Sequence, residues 1–201
     1  MNSLNQYTTV RIFKTIHPLS DKSTLGLTSK INVEHYKKGA VLTDIGEVAS
    51  SLYFIRKGMV KSYNRYNNKE VVAWVTYDQE PVVAVSSFFK QTPSHEILEC
   101  VEDTIVERID YKAFQEMIQL YPDLNAIYHH FILDFLIKSD AKIRLLKISD
   151  SKNRFEEFIR LYKIEHTSYV KRIPKRILAS IINMTPETLS IILSNSPYNL
   201  I

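Results

Sequence analysis

Short runs of β-branched and aromatic residues, separated by turn residues, fill the chain between residues 31 and 110. Gly58 closes the apolar run at residues 52–55. Asn67-Asn68 separates two segments in which apolar and polar residues alternate. Asn tolerates the positive φ that a two-residue hairpin requires. Roughly six to eight short strands with regular turn signals are typical of a sandwich or jelly roll. The pattern therefore predicts a β-barrel-like domain in the first half of the chain.

The second half has apolar residues at helical spacing. Residues 111–118 form one such segment, which should end before Pro122 because the residue preceding a proline disfavours the helical conformation. Residues 123–149 contain neither Pro nor Gly. A helix of that length would reach about 40 Å at 1.5 Å per residue. Because it would be far longer than the average globular helix, it requires a structural reason.

Two explanations of this long helix stay open. It can pack along its own β domain, or it can form a coiled-coil-like seam between two subunits. Leu133, Ile137 and Leu145 lie off the main apolar stripe, so the helix is apolar on more than one side, which favours dimerisation. The seam candidates lie on the main stripe and are Ile127, Phe131, Phe135 and Ile143.

Residues 172–190 carry the pattern of two short helices joined by a tight turn. Pro174 fits a first helical position, and Asn183 fits the left-handed position after the first helix. Thr185 provides a hydroxyl N-cap and Pro186 an N1 residue for the second helix. Such a unit places its second helix in the major groove of DNA, although an αα-hairpin that only packs is the alternative. The neighbouring basic residues, which can hold phosphates, are Lys171, Lys175, Arg172 and Arg176.

Composition limits the function classes. The 201-residue chain is 45% hydrophobic and 24% charged, which is typical of a globular protein with a real core. From residue 138 onward there are 12 Lys and Arg against 6 Asp and Glu, a net charge of +6, whereas residues 1–137 have a net charge of −2. A polyanion is therefore expected to bind near the C-terminus. A single cysteine excludes an intrachain disulfide and any metal site that needs several thiolates.

Other chemistry finds little support in the sequence. No run of eighteen apolar residues exists, and residues 1–6 lack the layout of a secretory signal, so the cytoplasm and no membrane are expected. There is no phosphate loop, dinucleotide glycine triplet or nucleophile elbow, so no enzyme is expected. His129-His130 with Asp134 is too small a set for a metal site, and none is predicted.

The order of β domain, long helix and helix-turn-helix resembles the Crp/Fnr family of bacterial transcription regulators. The most specific residues are Lys38-Gly39, Gly46-Glu47, Leu52–Ile55 and Gly58, which are similar to the family's cyclic-nucleotide-binding jelly-roll signature. Residues 185–190 resemble the start of its recognition helix, in the short form common among regulators from Bacteroidetes. The resemblance implies a dimer on a palindromic operator, and it adds RNA polymerase as a candidate partner.

Two departures qualify this resemblance. Members that bind cyclic AMP hold its phosphate with an arginine, whereas Ser94 occupies that position here. A buried phosphate without a cation would lose charge-assisted hydrogen bonds of roughly 1.5–3 kcal/mol each, so cyclic AMP is not expected. Another small effector, or none, stays open, and no cofactor is predicted. Candidate hydrogen-bonding groups for an effector are Ser86, Ser87, Ser94 and His95.

The second departure is in the recognition helix, which continues with Ile191-Ile192 where the family usually has basic residues. An arginine–guanine contact supplies about 1–3 kcal/mol of discrimination, so its absence weakens or redirects base readout. Only residues 195–201 follow, which is too few for the β-hairpin wing of longer relatives. The remaining base-contact candidates are Thr185, Glu187, Thr188, Ser190 and Ile191.

The sequence thus predicts an α+β protein in three parts. Residues 1–122 form N-terminal helices and a cyclic-nucleotide-binding-like jelly roll, residues 123–149 a long dimerisation helix, and residues 150–201 an all-α helix-turn-helix domain. The expected function is that of a dimeric, cytoplasmic, double-stranded-DNA-binding transcription regulator. The alternative is an effector or protein-interaction module on the same fold that does not bind DNA.

Overall fold

Two four-stranded antiparallel sheets form the first half of the protein. The computed structural model describes residues 6–195, without the side chains of residues 162–169. The predictions on residues 1–5 and 196–201, including the missing wing, lie outside the described residues. The strands within this range are β1 (Asn32–Tyr36), β2 (Val41–Thr43), β3 (Ser51–Lys57), β4 (Met59–Tyr66), β5 (Lys69–Tyr77), β6 (Pro81–Val82), β7 (Ile97–Cys100) and β8 (Thr104–Asp110).

Helices flank the sheets and complete the chain. Two precede the first strand, one interrupts the strands, and the rest follow β8. They are α1 (Thr8–Ile16), α2 (Asp21–Thr28), α3 (Val85–Lys90), α4 (Tyr111–Leu120), α5 (Pro122–Leu146), α6 (Ser151–Val170), α7 (Lys175–Ile181) and α8 (Pro186–Ser194). In the described part of the chain no single helix combines the length and apolar composition needed to cross a bilayer; α7 and α8 meet that criterion only as a pair bent by 102°.

The strand orders are β1-β8-β3-β6 in sheet A and β2-β7-β4-β5 in sheet B, which confirms the predicted jelly roll. Asn67 and Asn68 both have positive φ and form the predicted hairpin turn between β4 and β5. Gly39 and Gly58 also have positive φ at the predicted corners. Local residue chemistry therefore determines where these strands reverse.

The main core lies between the sheets and the helices that cover sheet A. Phe54 of β3 and Phe88 of α3 are fully buried in it. The first half of α5 contributes Leu124 and Ile127, and a buried carboxylate, Glu107, accepts hydrogen bonds from the first amides of α1. The long helix therefore packs along its own β domain, as the first of the two explanations proposed.

This packing corrects part of the predicted dimer seam. Ile127 is only 1% exposed and the half-buried Phe131 contacts the rings of Phe13 and Phe54, so both pack on the protomer's own core. Phe135 is partly exposed beside Trp74, and the predicted Ile143 is 60% exposed. Two further apolar side chains, Leu133 and Leu136, point away from the core together with Ile143.

The long helix is also shorter than predicted. It ends at Leu146 rather than at residue 149, and α6 begins at Ser151. The Asp150 carboxylate accepts a hydrogen bond from the Asn153 amide at 2.8 Å and so caps the next helix. Because aspartate stabilises a new N-terminus, a break arises without Pro or Gly.

A second core joins the C-terminal helices to the outer face of sheet B. Tyr63, Val72 and Ile97 project from β4, β5 and β7, and each is less than 5% exposed. They pack with buried residues of α6 to α8, among them Phe155, Ile177 and Leu189. The C-terminal helices are therefore fixed on the β domain by apolar packing.

We predict that Gly58→Ala destabilises the fold more than Gly39→Ala. At Gly58, φ is +125° and an added Cβ would lie 2.7 Å from the Thr104 Cα, whereas at Gly39, φ is +83° and nothing lies within 4 Å. We expect a loss of about 3 kcal/mol or more at Gly58 and about 1 kcal/mol at Gly39, measured by urea unfolding. Equal losses at the two positions would contradict the close approach of β4 and β8.

Candidate nucleic-acid interface and ligand cavity

Helix α8 has one buried side and one side open to solvent. The Thr185 hydroxyl accepts a hydrogen bond from the Thr188 amide at 3.2 Å, and Pro186 follows at N1, as predicted. Leu189 and Leu193 are buried against α7. The base-contact candidates on the other side are exposed, apart from the half-buried Thr188; they are Thr185, Glu187, Ser190 and Ile191.

Electrostatics at the start of α8 favour an ionised carboxylate. Hydrogen bonds from its own backbone amide and from the Thr185 hydroxyl lower the pKa of Glu187. A negative charge at this helix end also interacts favourably with the helix dipole. Glu187 is therefore an exposed hydrogen-bond acceptor at the open side of α8.

The turn before α8 is held by a buried arginine that sequence reasoning missed. Asn183 has φ of +54°, which confirms the predicted left-handed position. The Arg154 guanidinium, 6% exposed, donates to the carbonyls of Ile182 at 2.8 Å and Asn183 at 2.9 Å. It also donates to the Ser149 carbonyl at 3.2 Å, just after α5. Because the carbonyl ends of two helices carry partial negative charge, this cation is stabilised there and links the end of α5 to the α7–α8 turn.

The four predicted basic residues have different surroundings. Lys171 and Lys175 are exposed, and Arg176 is exposed with its guanidinium 3.6 Å from the Glu70 carboxylate. Arg172 instead points to the β domain, where it pairs with Asp78 at 2.7 Å and with Glu102. The Asp78 hydrogen bond raises the pKa of the Arg172 guanidinium above its ordinary value. These carboxylates are distant in sequence, so no local pattern could have revealed the pairing.

Polar contacts reinforce the docking of α7 on β5. The Val72 amide donates a 2.9 Å hydrogen bond to the Ser180 hydroxyl. The Glu70 carboxylate of β5 accepts the Arg176 guanidinium as an ion-pair partner and also pairs, within sheet B, with the buried Lys61 ammonium at 2.9 Å. The contact between the two parts of the chain thus combines apolar packing with ion pairs from Arg172 and Arg176 to the β domain.

The predicted effector residues do gather around one cavity, of about 160 Å³, lined by Ser86, Ser87, Ser94 and His95. Two of the hydroxyls already have structural partners. Ser87 donates to the Thr92 carbonyl at 2.6 Å and accepts from the Ala49 amide at 2.9 Å. Ser94 donates to the Glu96 carbonyl at 2.7 Å and accepts from the Glu96 amide at 3.1 Å. Both serines therefore stabilise loops around α3 and β7.

The charge of this cavity disfavours a phosphate. Its described lining contains no lysine or arginine, while the half-buried Glu96 is part of it. A cyclic phosphate bound here would meet a carboxylate instead of a guanidinium. The volume is also below the roughly 300–1,000 Å³ of ordinary ligand clefts.

A much larger cavity, of about 860 Å³, lies between β5, α3 and α5, and shares Ser62, Ser86 and Glu96 with the smaller one. Trp74 and Phe89 are half-buried in its wall. The inward stripe of α5 supplies Phe131 and Lys142. The sequence signal that could have indicated this cavity is Lys142, a lysine at helical spacing on the apolar stripe of α5.

The described residues include no further cluster of metal-binding side chains and no reactive cysteine. Within them, no group of three or more His, Cys, Asp and Glu side chains is placed to bind a metal ion. Cys100 is fully buried, and burial raises the pKa of its thiol, as expected of an inert structural cysteine.

Comparison with known proteins confirms the resemblance at the level of the fold. Residues 33–121 match the family described as cyclic nucleotide-binding domain, and no curated protein matches the chain. A CooA mutant from Carboxydothermus hydrogenoformans is 18% identical with a TM-score of 0.69, over 85% of this chain and 78% of that one. The global regulator CLP from Xanthomonas campestris is 19% identical with a TM-score of 0.67, over 88% and 91%.

A third similar structure is FixK2 from Bradyrhizobium japonicum, 16% identical with a TM-score of 0.69, over 82% of this chain and 83% of that one. All three are Crp/Fnr family regulators. Since each alignment covers at least 82% of this chain, the likeness extends well beyond the cyclic nucleotide-binding domain at residues 33–121. The fold is therefore that of these regulators.

We predict that Arg172→Met lowers the free energy of unfolding by about 1–2 kcal/mol, because it leaves Asp78 and Glu102 without their shared cation. The matched control is Lys171→Met at the exposed neighbouring position, where we expect a change within about 0.5 kcal/mol. Urea unfolding gives the free energies, and amide exchange in α7 reports the loosened docking. Equal effects of the two substitutions would contradict a role for Arg172 in holding the C-terminal helices.

Proposed function

We propose that this protein is a dimeric, cytoplasmic transcription regulator of the Crp/Fnr type that binds double-stranded DNA. The single observation that carries the proposal is the open side of α8, where Thr185, Thr188 and Ile191 are spaced three residues apart. Side chains at this spacing share one face of a helix and can enter a major groove together. The fold shared with CLP, described as a regulator that links cell-cell signalling to virulence gene expression, supports the same function.

Phosphate contacts would come from the exposed cations near α7. Lys171, Lys175 and Arg176 can reach a DNA backbone without losing a buried partner. Arg172 differs, because it would first have to leave Asp78 and Glu102. We therefore assign the first three residues to phosphate binding and leave Arg172 as a structural cation in this conformation.

Base readout would rest on small polar and apolar groups. Ile191 is 64% exposed and can contact a thymine methyl, while the ionised Glu187 can accept a hydrogen bond from a cytosine amino group. Thr188 can reach either kind of base edge with its hydroxyl. Readout of this kind is weaker than arginine–guanine pairing, so we expect modest specificity per half-site.

The second copy would pack on the outer face of α5. Leu133, Leu136 and Ile143 are each at least 56% exposed, and they form an apolar stripe opposite the core. An exposed apolar stripe on a long helix is typical of a helix–helix interface. Two copies joined there would present two α8 helices to one duplex, as a palindromic operator requires.

Cyclic AMP is not the effector in this proposal, because the described lining of the cavity around Ser94 has no lysine or arginine and contains Glu96. Catalysis is likewise not part of the function we propose, in keeping with the regulator fold. RNA polymerase remains a candidate partner. The alternative function is a protein-interaction module that docks through the exposed Ile191, without DNA.

We predict that Lys175→Ala combined with Arg176→Ala weakens binding to all DNA sequences alike. Each lost phosphate contact removes released counterions, so the slope of log affinity against log salt should fall by about one to two. Fluorescence anisotropy with labelled duplexes at several salt concentrations measures both quantities. The matched control, Thr188→Ala, should change the preference among duplexes and leave the salt slope unaltered. A double variant with the wild-type slope would refute the phosphate role.

We predict that Leu133→Glu disrupts the dimer, because a buried charge at a helix seam lacks a partner. Light scattering should give the dimer mass for the wild type and the monomer mass for the variant at micromolar concentration. Lys152→Glu on α6 causes a larger change of charge, but its side chain is 71% exposed, and this variant should remain dimeric. A wild-type monomer, or a Leu133→Glu dimer of unchanged stability, would count against the proposed seam.

A further inference from the structure

The cavity between β5 and α5 contains a cation in an unusual position. Lys142 projects from the inward side of α5, and its ammonium lies 4.3 Å from the centre of the Trp74 ring. It donates a hydrogen bond to the Ala73 carbonyl. Burial lowers the pKa of this ammonium to about 8, and no carboxylate contributes to the shift. Among the described side chains, none is a carboxylate within ion-pair distance of this ammonium, so its positive charge is not compensated by them.

The other charges of the cavity wall are satisfied differently. The Lys138 ammonium lies 3.0 Å from Asp134 and 3.4 Å from Glu80, so these three form their own cluster one turn away. The Glu96 carboxylate accepts a hydrogen bond from the Ser62 hydroxyl. The Lys90 side chain also borders the cavity, but it is exposed to solvent. Among the described cations of the wall, Lys142 is the half-buried one without a carboxylate partner, and it is therefore placed to attract an added anion.

Most of the remaining cavity wall is apolar, and the cavity is long. Its wall follows α5 from Leu124 to Leu145, a distance of about 30 Å at 1.5 Å per residue. Opposite this helix lie Phe54, Val82 and Phe114. Its volume of about 860 Å³ is within the range of ligand clefts. A long apolar chain fits this shape better than a compact polar nucleotide.

We propose that this cavity binds a long-chain monocarboxylate, with its carboxylate on the Lys142 ammonium and its hydrocarbon chain along the inward face of α5. The carboxylate would form a charge-assisted hydrogen bond in a partly dehydrated site, where such bonds are strongest. The chain would cover the apolar wall between Trp74 and Leu124. Binding itself does not depend on the proposed regulator function; only an effector role for the ligand rests on that function, through α5.

The protein's sole tryptophan provides a direct readout. The Trp74 ring contacts the ammonium that would receive the carboxylate. Binding should therefore shift the emission maximum of Trp74 and change its fluorescence intensity. The probe is dodecanoate, titrated below its micelle concentration into the full-length protein without DNA. We expect a saturable change with one ligand per chain. The uncharged methyl dodecanoate should bind at least about tenfold more weakly, and cyclic AMP should cause no change.

Two substitutions test the anchor. Lys142→Met keeps an unbranched side chain but removes the positive charge. It should weaken dodecanoate binding at least about tenfold and leave the affinity for the methyl ester unchanged. Lys142→Arg keeps the charge and should retain the preference for the carboxylate. Thermal unfolding by circular dichroism checks that both variants fold; if Lys142→Met does not, the preference of the wild type for the acid over its ester decides the question.

The proposal is overturned if dodecanoate causes no saturable change in Trp74 fluorescence, or if the acid and its ester bind the wild type equally. Retained acid preference in a folded Lys142→Met variant would also overturn it. Because this titration contains no DNA, its failure leaves the DNA-binding proposal intact. A protein that binds dodecanoate but no duplex would refute only the regulator function.

Discussion

The apolar side chains on two opposite faces of helix α5 are the constraint on which the rest of the structure depends. The inward face, with Leu124 and Ile127, completes the core of the jelly roll and then forms the wall of the large cavity. The outward face, with Leu133 and Leu136, has no partner within the described chain and is available to a second copy. A single helix therefore couples the ligand cavity to the proposed dimer seam, because neither face can move without the other.

The end of the same helix determines where the helix-turn-helix lies. Arg154 joins the carbonyls after α5 to those of the α7–α8 turn, so the two helix ends move as one unit. On its other side the C-terminal unit rests on sheet B through Val72 and Ser180, and through the Arg172 ion pairs. These contacts hold α7 against the β domain and leave the open side of α8 facing solvent.

Local features were predictable from the sequence, and contacts between distant segments were not. Asn67, Asn183 and Thr185 each determine a turn or cap through their own backbone and side chain, and the structure has all three as predicted. The direction of Ile127 could not be read from periodicity, because an amphipathic stripe does not say whether its partner is the same protomer or another. Arg172 was taken for a phosphate contact, since its carboxylate partners lie 70 and 94 residues earlier in the chain. The predicted effector serines do share a cavity, but the larger one beside them is formed by side chains from many elements, and no local pattern marks it.

Selection from a pool of random labelled duplexes tests the central claim most directly. If two α5-joined copies present their α8 helices to one duplex, the bound pool should converge on an inverted repeat. Its half-sites should be centred about one helical turn apart, or a multiple of that distance. A pool that enriches no sequence, or only a single half-site without symmetry, would contradict the account.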